Sequence, residues 1–176
     1  MKTRKGLIQV YTGEGKGKTT AALGLALRAV GRGLRVRMFQ FMKAPRSSGE
    51  HFSAARLAPD LEISPVGRKG FIFNKEPDPQ DIRLAAEGLA RARQASDSGQ
   101  VDLLILDEVD VALSLGLLSL EPLLELLDTR PPAVEVVLTG RGAPPEVLER
   151  ADLVTEMRLV KHPYKEGVKA REGIEY

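Results

Sequence analysis

Residues 12–19 read Thr-Gly-Glu-Gly-Lys-Gly-Lys-Thr and stand between a short, largely apolar run, 7–11, and an Ala- and Leu-rich stretch, 19–30. That junction constrains the chain more than any other feature. Gly13, Gly15 and Gly17 permit a backbone that wraps an anion with its N–H groups pointing inward. A helix opening near Lys18 aims the positive end of its dipole at the same anion. Gly17, Lys18 and Thr19 match the end of the pattern G-x-x-x-x-G-K-[ST], with Thr12 where the first glycine would stand. The spacing predicts a strand–loop–helix unit that holds the triphosphate of Mg-ATP along Gly13, Glu14, Gly15, Lys16, Gly17, Lys18, Thr19 and Thr20. Lys18 brings a full charge, and the Thr19 hydroxyl is placed to bind Mg2+. Two other readings exist, a plain glycine turn ahead of a helix and a dinucleotide-binding loop. The second would need a glycine at position 18 and an acidic residue at the end of the next strand, and 35–41 contains none.

The remainder of the chain repeats the alternation. Residues 34–41 read as a second strand, and Gly31 and Gly33 suit the end of the helix before it. Residues 101–106 are nearly continuously apolar, as in a strand buried on both faces of a parallel sheet. Further strands are predicted at 134–138 and 153–159, and helices at 78–96, 109–115, 120–127 and 145–150. Residues 44–77 differ, with Pro45, Pro59, Pro65 and Pro77 spaced among glycines. They predict a loop-rich segment with one short helix, 52–57, and one short strand, 61–64; loops of that length are often functional. Residues 161–176 carry no periodicity that places them. Strands alternating with helices imply right-handed βαβ units. The fold expected is α/β, a three-layer P-loop NTPase (RecA-like) fold with a mostly parallel central sheet, in one domain over 1–176.

The buried strand at 101–106 closes on Asp107 and Glu108. Carboxylates at the C-terminal end of a parallel strand share an edge with the phosphate loop. Asp107 is expected to hold Mg2+, directly or through water, and Glu108 to orient a water or touch the nucleotide. The bland alternative is a pair of acids capping the next helix. Composition removes other chemistries. There is no cysteine, hence no disulfide, thiolate metal site or thiol nucleophile. A net charge of +2, with basic residues scattered among acidic ones, argues against a nucleic-acid partner. No apolar run approaches the ~20 residues of a membrane span, and the basic start lacks the apolar stretch of a signal peptide. A cytoplasmic protein without membrane contact is expected.

Several segments carry a resemblance beyond the loop. Gly6 to Thr20, Gly-Leu-Ile-Gln-Val-Tyr-Thr-Gly-Glu-Gly-Lys-Gly-Lys-Thr-Thr, resembles the opening of the P-loop type of ATP:corrinoid adenosyltransferase. So do Gln40-Phe41-Met42-Lys43, Gly49-Glu50, Leu106-Asp107-Glu108 and Val137-Leu-Thr-Gly-Arg-Gly142, and, downstream, Ala151 to Met157 and Val160-Lys-His-Pro-Tyr164. The resemblance implies transfer of the 5′-deoxyadenosyl group of ATP to the cobalt(I) of a reduced corrinoid, with release of triphosphate. Cobalt(I) is then the nucleophile, so the scarcity of histidine (His51, His162) is no obstacle. Lys18, Thr19, Asp107 and Glu108 become the catalytic set, with Mg2+ on Thr19 and Asp107 and the leaving triphosphate stabilised by preorganised charge. The resemblance also implies that ATP is held reversed relative to most P-loop enzymes. Phe71 and Phe73, in the loop-rich middle, are expected at the corrinoid, with Phe73 where the family carries Trp. Glu14 replaces the more usual Asn or Asp and is expected to point away from the phosphates. Arg141 reaches the nucleotide or caps its strand; Glu50 orders a loop, contacts substrate or is a surface charge; His162 is structural. The resemblance further implies a homodimer and an electron-donating reductase as partner. A P-loop ATPase or small-molecule kinase, with Glu108 activating water or a substrate, is the alternative.

Overall fold

The computed structural model describes residues 5–45, 48–69 and 76–176. Along them run β1 (Ile8–Thr12), α1 (Lys18–Val30), β2 (Val36–Phe41), α2 (Gly49–Leu57), β3 (Leu61–Val66), α3 (Pro79–Asp97), β4 (Leu103–Asp107), α4 (Val109–Ser114), α5 (Leu120–Thr129), β5 (Glu135–Thr139), α6 (Pro145–Arg150) and β6 (Leu153–Glu156), followed by a 3-10 turn, Pro163–Glu166. The strands form one sheet of order β3-β2-β4-β5-β1-β6, and every pairing is parallel. The parallel central sheet expected from the sequence is thus parallel throughout.

Period-two alternation in β4 builds both cores. Leu103 and Ile105 face Ala22, Ala26 and Ala29 of α1 and Ala54 of α2. Leu104 and Leu106 face the opposite way, onto Ala85, Leu89 and Ala92 of α3 and Leu123, Leu126 and Leu127 of α5. Helices on both faces give the three-layer α/β architecture of a P-loop NTPase. Helix α3 starts where its sequence directs: Pro79 opens it and the Asp78 carboxylate accepts from Gln80 N at 2.8 Å. In its middle, Gly88 lies against Val66 so closely that a Cβ would stand 2.3 Å from Val66 Cγ1.

Several boundaries differ from expectation, among them the last strand, expected to reach 159 and ending at Glu156. Strand β3 continues past Ser64 through Pro65 to Val66. It is an edge strand, where a missing N–H leaves no ladder bond unmade. Helix α2 begins at Gly49 rather than 52. Of the two glycines after α1, Gly33 takes the left-handed conformation (φ 74) while Gly31 remains right-handed (φ −61). Because all strands are parallel, the segments leaving β1, β2, β4 and β5 gather at one edge. Strand β5 lies between β1 and β4 and brings its own C-terminal residue between the loop and the acidic pair.

Candidate active site

The loop between β1 and α1 depends on glycine for two separate reasons. Gly17, just before α1, has φ 124, which side chains resist. Gly15 has no room: a Cβ would stand 2.6 Å from the Met157 carbonyl oxygen and 2.8 Å from the Arg158 carbonyl carbon. Gly15 N donates to Met157 O at 2.6 Å, so the chain leaving β6 braces the loop. Lys18, the first residue of α1, is 6% exposed, and its Nζ donates to Gly13 O at 2.5 Å and Gly15 O at 2.8 Å. The ammonium gathers the loop around itself. Burial pulls the Lys18 pKa below the usual lysine value, against the attraction of Glu108. A polyanion in the loop would favour the charged form.

Asp107, at the end of β4, is fully buried and held by three donors. Oδ1 accepts from Thr19 Oγ1 at 2.8 Å and from Thr139 Oγ1 at 2.7 Å; Oδ2 accepts from Gln40 Nε2 at 3.0 Å. Thr19 spends its proton on Asp107, which leaves the hydroxyl lone pairs for a cation in the cleft. Asp107 itself stands behind Thr19. The Thr139 hydroxyl accepts from Glu108 N at 2.9 Å and so ties β5 to the turn after β4. Glu108 adopts a left-handed conformation, φ 60, and its side chain makes no capping bond to α4. Its carboxyl instead lines the cleft, and burial, then the neighbouring Asp107, raises its pKa. Mg2+ takes oxygen ligands, few of them from protein, and completes its octahedron with phosphates and water. The Thr19–Asp107 oxygen pair fits that demand. Among the described residues no cluster of three or more His, Cys, Asp or Glu offers a metal cage.

These groups open on a cleft of about 820 Å³, at the upper end of small-molecule sites. Glu14 to Thr20 form one wall with Leu23 and Leu27 of α1; Lys43, Glu50, Ser53 and Leu57 form the other. Arg141, after β5, reaches the rim, where it pairs with Glu14 at 3.2 Å. Glu14 therefore lies along the rim, largely in solvent, with its charge met by Arg141. Lys16 pairs with Glu175 at 3.0 Å, which draws the C-terminal turn over the loop. Glu50 is no free surface charge: it accepts from Lys43 Nζ at 2.8 Å and Gln40 Nε2 at 3.0 Å. His162 accepts from Tyr164 N at 3.2 Å and stabilises the 3-10 turn, although it also borders the cleft. Phe71 and Phe73 lie outside the described residues. Sequence reasoning gave no role to Gln40 or Thr139. The signal present was an uncharged polar residue at or next to the end of each of two strands, β2 and β5, at the edge that carries the loop.

Residues 4–176 match the family described as ATP:corrinoid adenosyltransferase BtuR/CobO/CobP. The corrinoid adenosyltransferase of Pseudomonas aeruginosa is 39% identical over 98% of this chain and 84% of that protein. Those of Escherichia coli K12 and Salmonella typhimurium are 38% and 37% identical, each over 98% of this chain and 86% of the relative.

Proposed function

The chain belongs to the ATP:corrinoid adenosyltransferase family, and from that premise we propose that it transfers the 5′-deoxyadenosyl group of ATP to the cobalt of a reduced corrinoid and releases triphosphate. The observation that carries the reading is the convergence of Lys18, the opening of α1 and the Thr19–Asp107 pair on one anion-binding loop, in a chain similar to such enzymes over nearly its full length. In the proposed step the cobalt(I) lone pair forms a bond to C5′ of ATP as the C5′–O bond breaks. The bonding electrons leave on the triphosphate, and no proton moves. The protein's task is to stabilise that growing charge. Lys18, sequestered by two loop carbonyls, is in place to turn to the phosphates, and the first N–H groups of α1 face them. When bound, Mg2+ supplies a Lewis acid for the phosphate oxygens. Thr19 is its direct ligand in this reading and Asp107, behind Thr19, holds it through water, kept oriented by Thr139 and Gln40. Arg141 and Lys43 add positive charge at the rim, and Glu108 touches the nucleotide. ATP is bound reversed, with C5′ toward the corrinoid. The segment 44–77, through Phe71 and Phe73, supplies the corrinoid face. A one-electron reductase generates cobalt(I) beforehand, and the enzyme works as a cytoplasmic homodimer.

An anaerobic incubation with Mg-ATP and chemically reduced cobalamin tests this, followed by the absorbance of the new cobalt–carbon bond. The bond is expected to form with the native chain and to form at least about 100-fold more slowly with Lys18→Ala, the scale of removing one preorganised charge from a transition state. Equal rates in the two proteins would remove the loop from the reaction.

A further inference from the structure

Gln40 is fully buried next to the end of β2, between Phe39 and Phe41. Its amide joins three groups. Nε2 donates to Asp107 Oδ2 and to Glu50 Oε1, both at 3.0 Å, and Oε1 lies 2.7 Å from His51 Nε2. Two carboxylate acceptors fix which end of the amide is nitrogen, and the remaining oxygen requires His51 Nε2 to donate. Glu50 also accepts from Lys43 Nζ at 2.8 Å. A continuous path therefore runs from Thr19 through Asp107, Gln40 and Glu50 to Lys43. One end is the hydroxyl at the phosphate loop. The other is α2, whose Gly49, Glu50, Ser53 and Leu57 line the facing wall.

We propose that Gln40 is a positioning residue that fixes Asp107 in the orientation presenting Oδ1 to Thr19 and ties the α2 wall to that orientation, so that metal-dependent ATP binding and the placement of the wall are coupled through one amide. The inference rests on the reading of Thr19 and Asp107 as the Mg-ATP site. Both hydroxyl donors to Asp107 fall on Oδ1. Gln40 is the donor recorded on Oδ2 among the described residues. A buried carboxylate that loses its partner on one oxygen turns to find another. That turn takes the Thr19 proton acceptor away and misdirects the hydroxyl lone pairs. The amide is also the chemically required group. Glutamate of the same length would set a third carboxylate between Asp107 and Glu50, with Lys43 as the cation recorded beside them.

Isothermal titration of ATP, in Mg2+ and again in EDTA, separates this role from a merely structural one. For Gln40→Met the affinity gained from Mg2+ is expected to fall about tenfold, the scale of a hydrogen bond to a charged group, with affinity in EDTA essentially unchanged. Glu50→Ala, at the cleft wall, is expected to lose less of the same gain. In the double variant the two losses are expected not to add, since the path is already broken. Equal losses in Mg2+ and EDTA, or additive losses in the double variant, would overturn the proposal. If Gln40→Met does not fold, Glu50→Ala still decides: a Mg2+-dependent gain equal to that of the native chain overturns the coupling. Because the readout uses no corrinoid, failure of adenosyl transfer and failure of the coupling are told apart.

Discussion

Asp110 sets burial against charge. It is fully buried on α4, neither carboxyl oxygen has a partner among the described residues, and Glu108 lies nearby. Burial first, then Glu108, raises its pKa from 3.8 to about 7. Between those values the folded chain holds a proton that the unfolded chain has released, so stability falls as pH rises from about 4 to about 7 and levels off above. The full penalty above pH 7 is at most about 4 kcal/mol for such a shift. Asp110→Asn removes the charge and keeps the shape. In urea unfolding at pH 5 and pH 8 the native chain is expected to be less stable at pH 8, and the variant to lose most of that difference; parallel slopes would disprove the assignment. Asp110 was within reach of sequence reasoning, since it interrupts the apolar run Val109, Val111, Ala112. The helix expected over 109–115 took it in without a role. The loop residues were legible because glycine, lysine and threonine each have a local physical reason to stand there. Gln40 and Thr139 were not, because their partners come from other strands.

At the scale of elements, Gly88 in α3 opposes two effects. Alanine would favour the helix by about 1 kcal/mol. Its Cβ, however, would stand 2.3 Å from Val66 Cγ1 and 2.8 Å from Cγ2, on a β-branched side chain with little freedom to yield. Overpacking typically costs about 1–3 kcal/mol and is expected to win. Gly88→Ala should destabilise in urea unfolding, and adding Val66→Ala should recover part of the loss through relief of the clash. If Gly88→Ala proves stabilising, α3 does not sit that close to β3. The alternation of buried strands and helices was legible because periodicity and capping are local properties; α6 was placed to the residue and Asp78 marks the start of α3. Strand β3 was cut short because Pro65 reads as a breaker until its edge position is known. The Pro- and Gly-spaced segment gave few boundaries for the same reason: local signals there do not say which strand will be a neighbour.

Over the whole molecule, the site is assembled by contacts distant in sequence. Residues 161–176 had no periodicity, yet Glu175 pairs with Lys16, and Met157, expected inside the last strand, lies past its end at Glu156 and braces Gly15. Nothing local encodes those contacts. Gly15→Ala is expected to weaken ATP binding and also to destabilise the chain by about 1–3 kcal/mol, since its Cβ meets backbone at 2.6 Å and not a movable side chain. Loss of ATP affinity with full stability would show that the brace is not tight. The sheet order, which sets β5 between the phosphate loop and the acidic pair, was equally invisible in sequence, although the shared edge followed from parallel strands alone. The reaction itself rests on which bond of ATP breaks. Phosphorus-31 spectra of the products after anaerobic turnover with Mg-ATP and reduced cobalamin answer that most directly. Triphosphate appearing in equal amount to the cobalt–carbon bond is the expected result. ADP and phosphate, with no alkylated cobalt, would contradict adenosyl transfer and point to cleavage between phosphates.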